Sequence, residues 1–155
     1  MNSLPFPQLM LIGRMELTVE RPHLPGQTYN GDRRIIRVTG GSITGDHLNA
    51  DVIPGGDDWI TVREDGTIIQ DVRILLAADN NDIIMMTYRG IRTGSPEVLK
   101  RLDNNEEVNP TEYYFRTVPI FETSSERYNW LNNRVFISTG IRLPGKVQYD
   151  LYLVE

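Results

Sequence analysis

The sequence predicts a mostly β chain folded as a single antiparallel β-barrel, lipocalin-like or related, of roughly nine to ten strands with two short helices. Three observations lead there: repeated runs in which apolar and polar residues alternate, turn chemistry at close intervals between them, and no βαβ crossover pattern. The chain has 155 residues, the size of one domain able to bury a core, and we take residues 1–155 as that domain.

The first run, QLMLIGRMELTVERP from Gln8, places Leu9, Leu11, Gly13, Met15, Leu17 and Val19 on one parity and Met10, Ile12, Arg14, Glu16 and Thr18 on the other. Alternation of this kind marks a half-buried strand. The Pro-, Gly-, His- and Asn-rich stretch from Pro22 to Asp32 is expected to be a long loop. A strand follows from Arg34 to Thr39, with turns expected at Gly40-Gly41, at Gly45-Asp46 and at Pro54-Gly55-Gly56. Trp59 to Arg63 alternates before Asp65-Gly66, a strong hairpin signal, and the return strand is Thr67 to Ala78.

The turn Asp79-Asn80-Asn81-Asp82 leads to a strand from Ile83 to Tyr88, ending at Gly90. Ser95-Pro96-Glu97 then reads as an N-cap, a first-turn proline and an acidic first turn, so a short helix is expected to about Asn104. Glu112 to Phe121 is an aromatic-rich strand. Thr123 and Glu126 at capping-box spacing predict a second helix ending at Asn132-Asn133. A last hairpin, Arg134 to Leu143 and Lys146 to Glu155, turns at Pro144-Gly145.

Composition excludes several functions. With no cysteine there is no disulfide, thiolate metal site or cysteine nucleophile, and the two histidines, His23 and His47, lie far apart in turn sequence. The net charge of -5 without a basic block argues against a nucleic-acid partner. No apolar run is long enough to span a bilayer as a helix, and the opening lacks a basic leader region, so a soluble, cytoplasmic protein without a membrane partner is expected. The glycine clusters match neither a P-loop nor a dinucleotide fingerprint, no serine sits in a nucleophile elbow, and no metal or cofactor is predicted.

Candidate functional residues concentrate between Pro54 and Leu76. Asp71 and Arg73 interrupt an aliphatic strand. If they face the barrel interior, Val72, Ile74 and Leu76 pack outward; the opposite parity puts the aliphatics inside and the charges in solvent, which hydrophobicity favours. Asp58, after the glycine pair, is the other carboxylate placed to move a proton, since a carboxyl in a partly apolar barrel mouth has a raised pKa. The catalytic candidates are therefore Asp58, Asp71 and Arg73, and the ligand-binding candidates are Trp59, Tyr88, Tyr114 and Arg116.

The succession GGSITG, PGGDDW, REDGTIIQDVR, YRG, YYFRTVPIFET, YNWLNNRVFISTG and VQYDLYLVE resembles the family catalogued as domain of unknown function 3237, also called uncharacterised protein family 0311, from about Gln8 to Val154. The resemblance implies a β-barrel and assigns no activity. It aligns Pro54, Gly55, Gly56, Asp57, Asp58 and Trp59 with one motif, Asp65, Gly66, Thr67, Asp71, Val72 and Arg73 with a second, and Tyr88, Arg89 and Gly90 with a third. The expected function is small-molecule binding, in its sharper form a cofactor-free acid/base isomerase, cyclase or hydrolase acting on a hydrophobic oxygenated metabolite. The alternative is a non-catalytic ligand-binding barrel, or a structural barrel that self-associates as a homo-oligomer through its edge strands.

Overall fold

In the computed structural model, which describes residues 2–155, nine strands form one sheet. They are β1 (Leu9–Val19), β2 (His23–Thr28), β3 (Gly31–Thr44), β4 (Ala50–Val62), β5 (Ile68–Ala78), β6 (Ile83–Gly94), β7 (Tyr113–Thr123), β8 (Val135–Leu143) and β9 (Lys146–Val154). From β3 to β9 each strand pairs antiparallel with the next, and β1 pairs with both β9 and β3. That double pairing closes an eight-stranded up-and-down barrel, and β2 adds to the first half of β3 as a ninth strand outside the ring.

The three hairpin turns at Asp65-Gly66, Asp79–Asp82 and Pro144-Gly145 stand where local chemistry puts them. The glycine clusters do not make turns. Gly40 and Gly41 lie within β3, and Gly55 and Gly56 within β4, where they bulge the strands: pairing slips between Arg37 and Ser42 on one side and between Ile53 and Asp57 on the other. Gly41 has φ +137, and a Cβ there would drive into the Glu16 carbonyl of β1, so glycine lets β3 pack closely against β1 at a corner of the barrel. At Gly56 a Cβ would lie 2.5 Å from the Arg73 carbonyl oxygen.

Other expectations are also corrected. The expected loop after Pro22 holds β2, since pairing with β3 supplies the order that its composition lacks. In β1 an extra residue between Leu11 and Gly13 shifts the phase: Leu9 and Leu11 are exposed, whereas Ile12, Met15 and Leu17 are buried. The strand ending expected at Gly90 runs on to Gly94 because β7 pairs with it throughout.

Helix α1 (Pro96–Asp103) forms as expected, with the Ser95 hydroxyl accepting from the Val98 amide at 3.2 Å and Val98, Leu99 and Leu102 buried. The second helix is instead a 3-10 turn, Asn129–Asn133; Thr123 closes β7, and its hydroxyl accepts from Ser125 rather than capping a helix. No helix among the described residues is long and apolar enough to cross a membrane.

The barrel interior has two unequal ends. Ile12, Leu48, Leu76, Ile84, Phe136 and Leu151 are essentially removed from solvent and plug one end, each contributing about 1.5–3 kcal/mol by burial. The other end, flanked by α1, the segment after β1 and the β8–β9 turn, stays open as a cavity of about 420 Å³.

Candidate functional site

Strand alternation decides which side chains line this cavity. On β5 the even positions from Ile68 to Ala78 are buried, so the aliphatics face inward together with Gln70. Asp71 and Arg73 therefore stand on the outer surface, the parity that hydrophobicity favours. The two inserted residues in β4 preserve phase, which sends Asp58 inward and Trp59 outward; Asp58 is 7 % exposed and Trp59 53 %. Tyr88 is buried on β6. On β7 the odd positions are buried, so Tyr114 and Arg116 lie outside, with the Arg116 guanidinium 5.0 Å from the Tyr114 ring centre.

Of the seven sequence candidates, Asp58 and Tyr88 line the cavity. Asp71, Arg73, Trp59, Tyr114 and Arg116 do not, because each falls on the opposite parity from its strand's buried side chains. Asp71, Arg73 and Trp59 instead border a separate outer depression beside the β4 bulge.

Asp58 sits in a buried polar cluster. Its Oδ1 accepts from the Asp71 backbone N–H at 3.1 Å, and its Oδ2 accepts from the Gln70 amide at 3.3 Å. The same Gln70 nitrogen donates to the Tyr149 hydroxyl at 3.2 Å, and Tyr88 donates to Tyr149 at 3.0 Å. The Tyr149 ring packs edge-on against both Tyr88 and Phe115, with centroids 5.3 and 5.5 Å apart, which fixes the phenols in place. Gly90 allows this assembly, because a Cβ there would meet the Gln70 side-chain oxygen.

Burial pushes the Asp58 carboxyl up to about 7, against the Asp71 amide, the Gln70 hydrogen bond and the Arg92 charge, which favour the ionised form. The Tyr88 and Tyr149 phenols are raised, chiefly by burial, so both remain protonated donors at neutral pH. The Gln70 side-chain oxygen has no partner as placed; turned over, the amide would accept from a neutral Asp58. The cluster thus has hydrogen-bonding arrangements for both protonation states of the acid.

Sequence reasoning missed Gln70, Arg92, Arg142 and Tyr149. The signal for Gln70 was present, since placing Val72 and Ile74 inside carries Gln70 with them. Tyr149 alternates in phase with Val147, Leu151 and Leu153.

These features define a closed antiparallel barrel, half plugged by apolar side chains and half open around a buried carboxyl whose pKa burial raises. The chain belongs to the DUF3237 family, described as a protein of unknown function, whose model matches residues 7–154. A UPF0311 protein of Clostridium acetobutylicum is 37% identical over 140 residues, covering 90% of this chain and 89% of the relative. The solved structure of a beta-barrel like protein from Acinetobacter baumannii superposes with a TM-score of 0.88 at 36% identity, covering 100% of both chains. One described as an enzyme from Penicillium herquei superposes with a TM-score of 0.72 at 26% identity, again over 100% of both.

Proposed function

We propose that the chain is a small-molecule-binding barrel whose cavity performs a redox-neutral proton transfer on a hydrophobic oxygenated metabolite, with Asp58 as the group that moves the proton. The observation that carries this reading is the buried Asp58 carboxyl at the cavity wall, with its pKa lifted to about 7. Both of its forms are then populated at neutral pH, as general acid/base catalysis requires. Ionised Asp58 takes a proton from a substrate C–H or O–H, and the neutral acid returns it to a different atom of the same molecule. No electrons are gained or lost, and the result is an isomerisation or a ring closure; with water as the deprotonated partner it is a hydrolysis.

The Tyr149 hydroxyl accepts from Gln70 and Tyr88 and keeps its own proton free to donate to an oxygen that gains negative charge during the transfer, while Tyr88 strengthens that donor through its hydrogen bond. Ile60, Ile68, Val72 and Phe115 give the apolar wall that a hydrophobic body needs. The Penicillium herquei neighbour, described as an enzyme, supports the catalytic form of the reading.

The test is a screen of oxygenated metabolites for turnover, with Asp58→Asn as control. Turnover should fall by about 10²-fold or more in the variant while binding persists, the range expected on losing a positioned acid/base. Undiminished turnover in Asp58→Asn would remove the residue from the mechanism.

A further inference from the structure

The mouthward half of the cavity carries more positive charge than its neighbours neutralise. Arg34, Arg92 and Arg142 line it from β3, β6 and β8. Arg34 is paired with Asp103 of α1 at 3.1 Å. Neither Arg92 nor Arg142 has a carboxylate within ion-pair distance among the described residues.

Arg92 is 8 % exposed, its Nε has no hydrogen-bond partner, and its guanidinium lies 6.0 Å from the Phe115 ring centre. Arg142 directs one guanidinium nitrogen to the Leu143 carbonyl. Burial and the charge of Arg142 lower the Arg92 pKa, so the two cations lie close enough to repel. A buried guanidinium without a counter-ion is costly, and its fork-shaped donors match a planar oxyanion.

We propose that Arg92 and Arg142 form an anion-recognition subsite on the cavity wall, so that the molecule this barrel takes carries a carboxylate. The proposal rests on the reading of the cavity as a small-molecule site and adds the chemical class of the ligand. Register fixes where the carboxylate lies. Gly90 pairs with Gln70, the partner of Asp58, and Arg92 is the next inward residue of β6, about 7 Å further along the strand. The ligand is therefore an organic acid with an apolar body, its carboxylate nearer the mouth and its proton-exchanging atom deeper, at Asp58.

Isothermal titration of 2-naphthoate and its neutral counterpart 2-naphthamide into the wild type, Arg92→Gln and Arg142→Gln reads the subsite directly. The wild type should prefer the carboxylate by about tenfold or more, the contribution of one charge-assisted hydrogen bond, and the preference should collapse in Arg92→Gln. Equal affinity for acid and amide, or a preference unchanged in both variants, overturns the subsite while leaving the cavity and Asp58 in place. Failure of both probes to bind at millimolar concentration also overturns it, and the Asp58 reading is then judged separately by its ligand-free pH dependence. Arg92→Met supplies a control that needs no probe. Removing an uncompensated buried charge should leave the melting temperature equal or higher, and a clear fall would make Arg92 a structural residue and overturn the proposal.

Discussion

Replacing Asp58 by Asn should make the protein relatively more stable as pH rises, and the size of the effect follows from its burial. Unfolded, the carboxyl titrates near its ordinary 3.8; folded, it titrates at about 7. Below pH 4 it is protonated in both states and contributes nothing. Between those values the unfolded chain has released a proton that the folded chain retains, so wild-type stability falls with pH, and above 7 the full cost of the buried charge remains. A shift of about three units corresponds to on the order of 4 kcal/mol.

Asparagine cannot ionise, keeps an oxygen for the Asp71 amide and, once the Gln70 amide turns over, donates from its NH₂ to the Gln70 oxygen that otherwise lacks a partner. Urea denaturation of both proteins from pH 5 to pH 8 should therefore show the stability difference moving in favour of Asp58→Asn by roughly 2–3 kcal/mol. Other titrating groups are common to both chains and largely cancel. A difference that stays flat, or moves in favour of the wild type as pH rises, would refute the reasoning that Asp58 is buried without a matching charge.

Further expectations concern the wall and the roof. Gly41→Ala should cost about 2–4 kcal/mol in denaturant unfolding, since a methyl group at that φ meets the β1 backbone; an unchanged midpoint would mean that the corner is not tightly packed. Asp71→Asn and Arg73→Gln, both on the outer surface, should change stability by no more than about 0.5 kcal/mol and leave affinity for cavity ligands unaltered by titration. Ser95→Ala removes the hydroxyl that accepts from the Val98 amide and should cost about 1 kcal/mol, read by thermal or urea unfolding.

Much of the barrel was legible because its cues are local. Asp65-Gly66 and Pro144-Gly145 make turns through their own backbone preferences, and Ser95-Pro96 starts a helix through its own hydroxyl and ring. The candidate site was half legible. Asp58 stands out as a carboxyl beside a glycine pair and Tyr88 as a phenol before Arg89-Gly90 near a barrel opening, yet Asp71 and Arg73 stand out equally because charge within an aliphatic run is conspicuous whichever way it points. The second helix failed for a related reason: Thr123 and Glu126 have capping-box spacing, but β7 pairs through Thr123 and takes that residue into the sheet.

Alternation along each strand established two faces and the residues on each, so the sequence alone determined that Gln70 shares a side with Val72 and Ile74, and Asp71 with Arg73. Only the closed barrel decided which side is interior, because bulges insert residues and shift phase, as between Leu11 and Gly13, through contacts with strands distant in sequence. The cluster itself depends on that closure. Gln70 and Tyr149 are 79 positions apart and meet only because β1, pairing with both β3 and β9, brings the two ends of the sheet together.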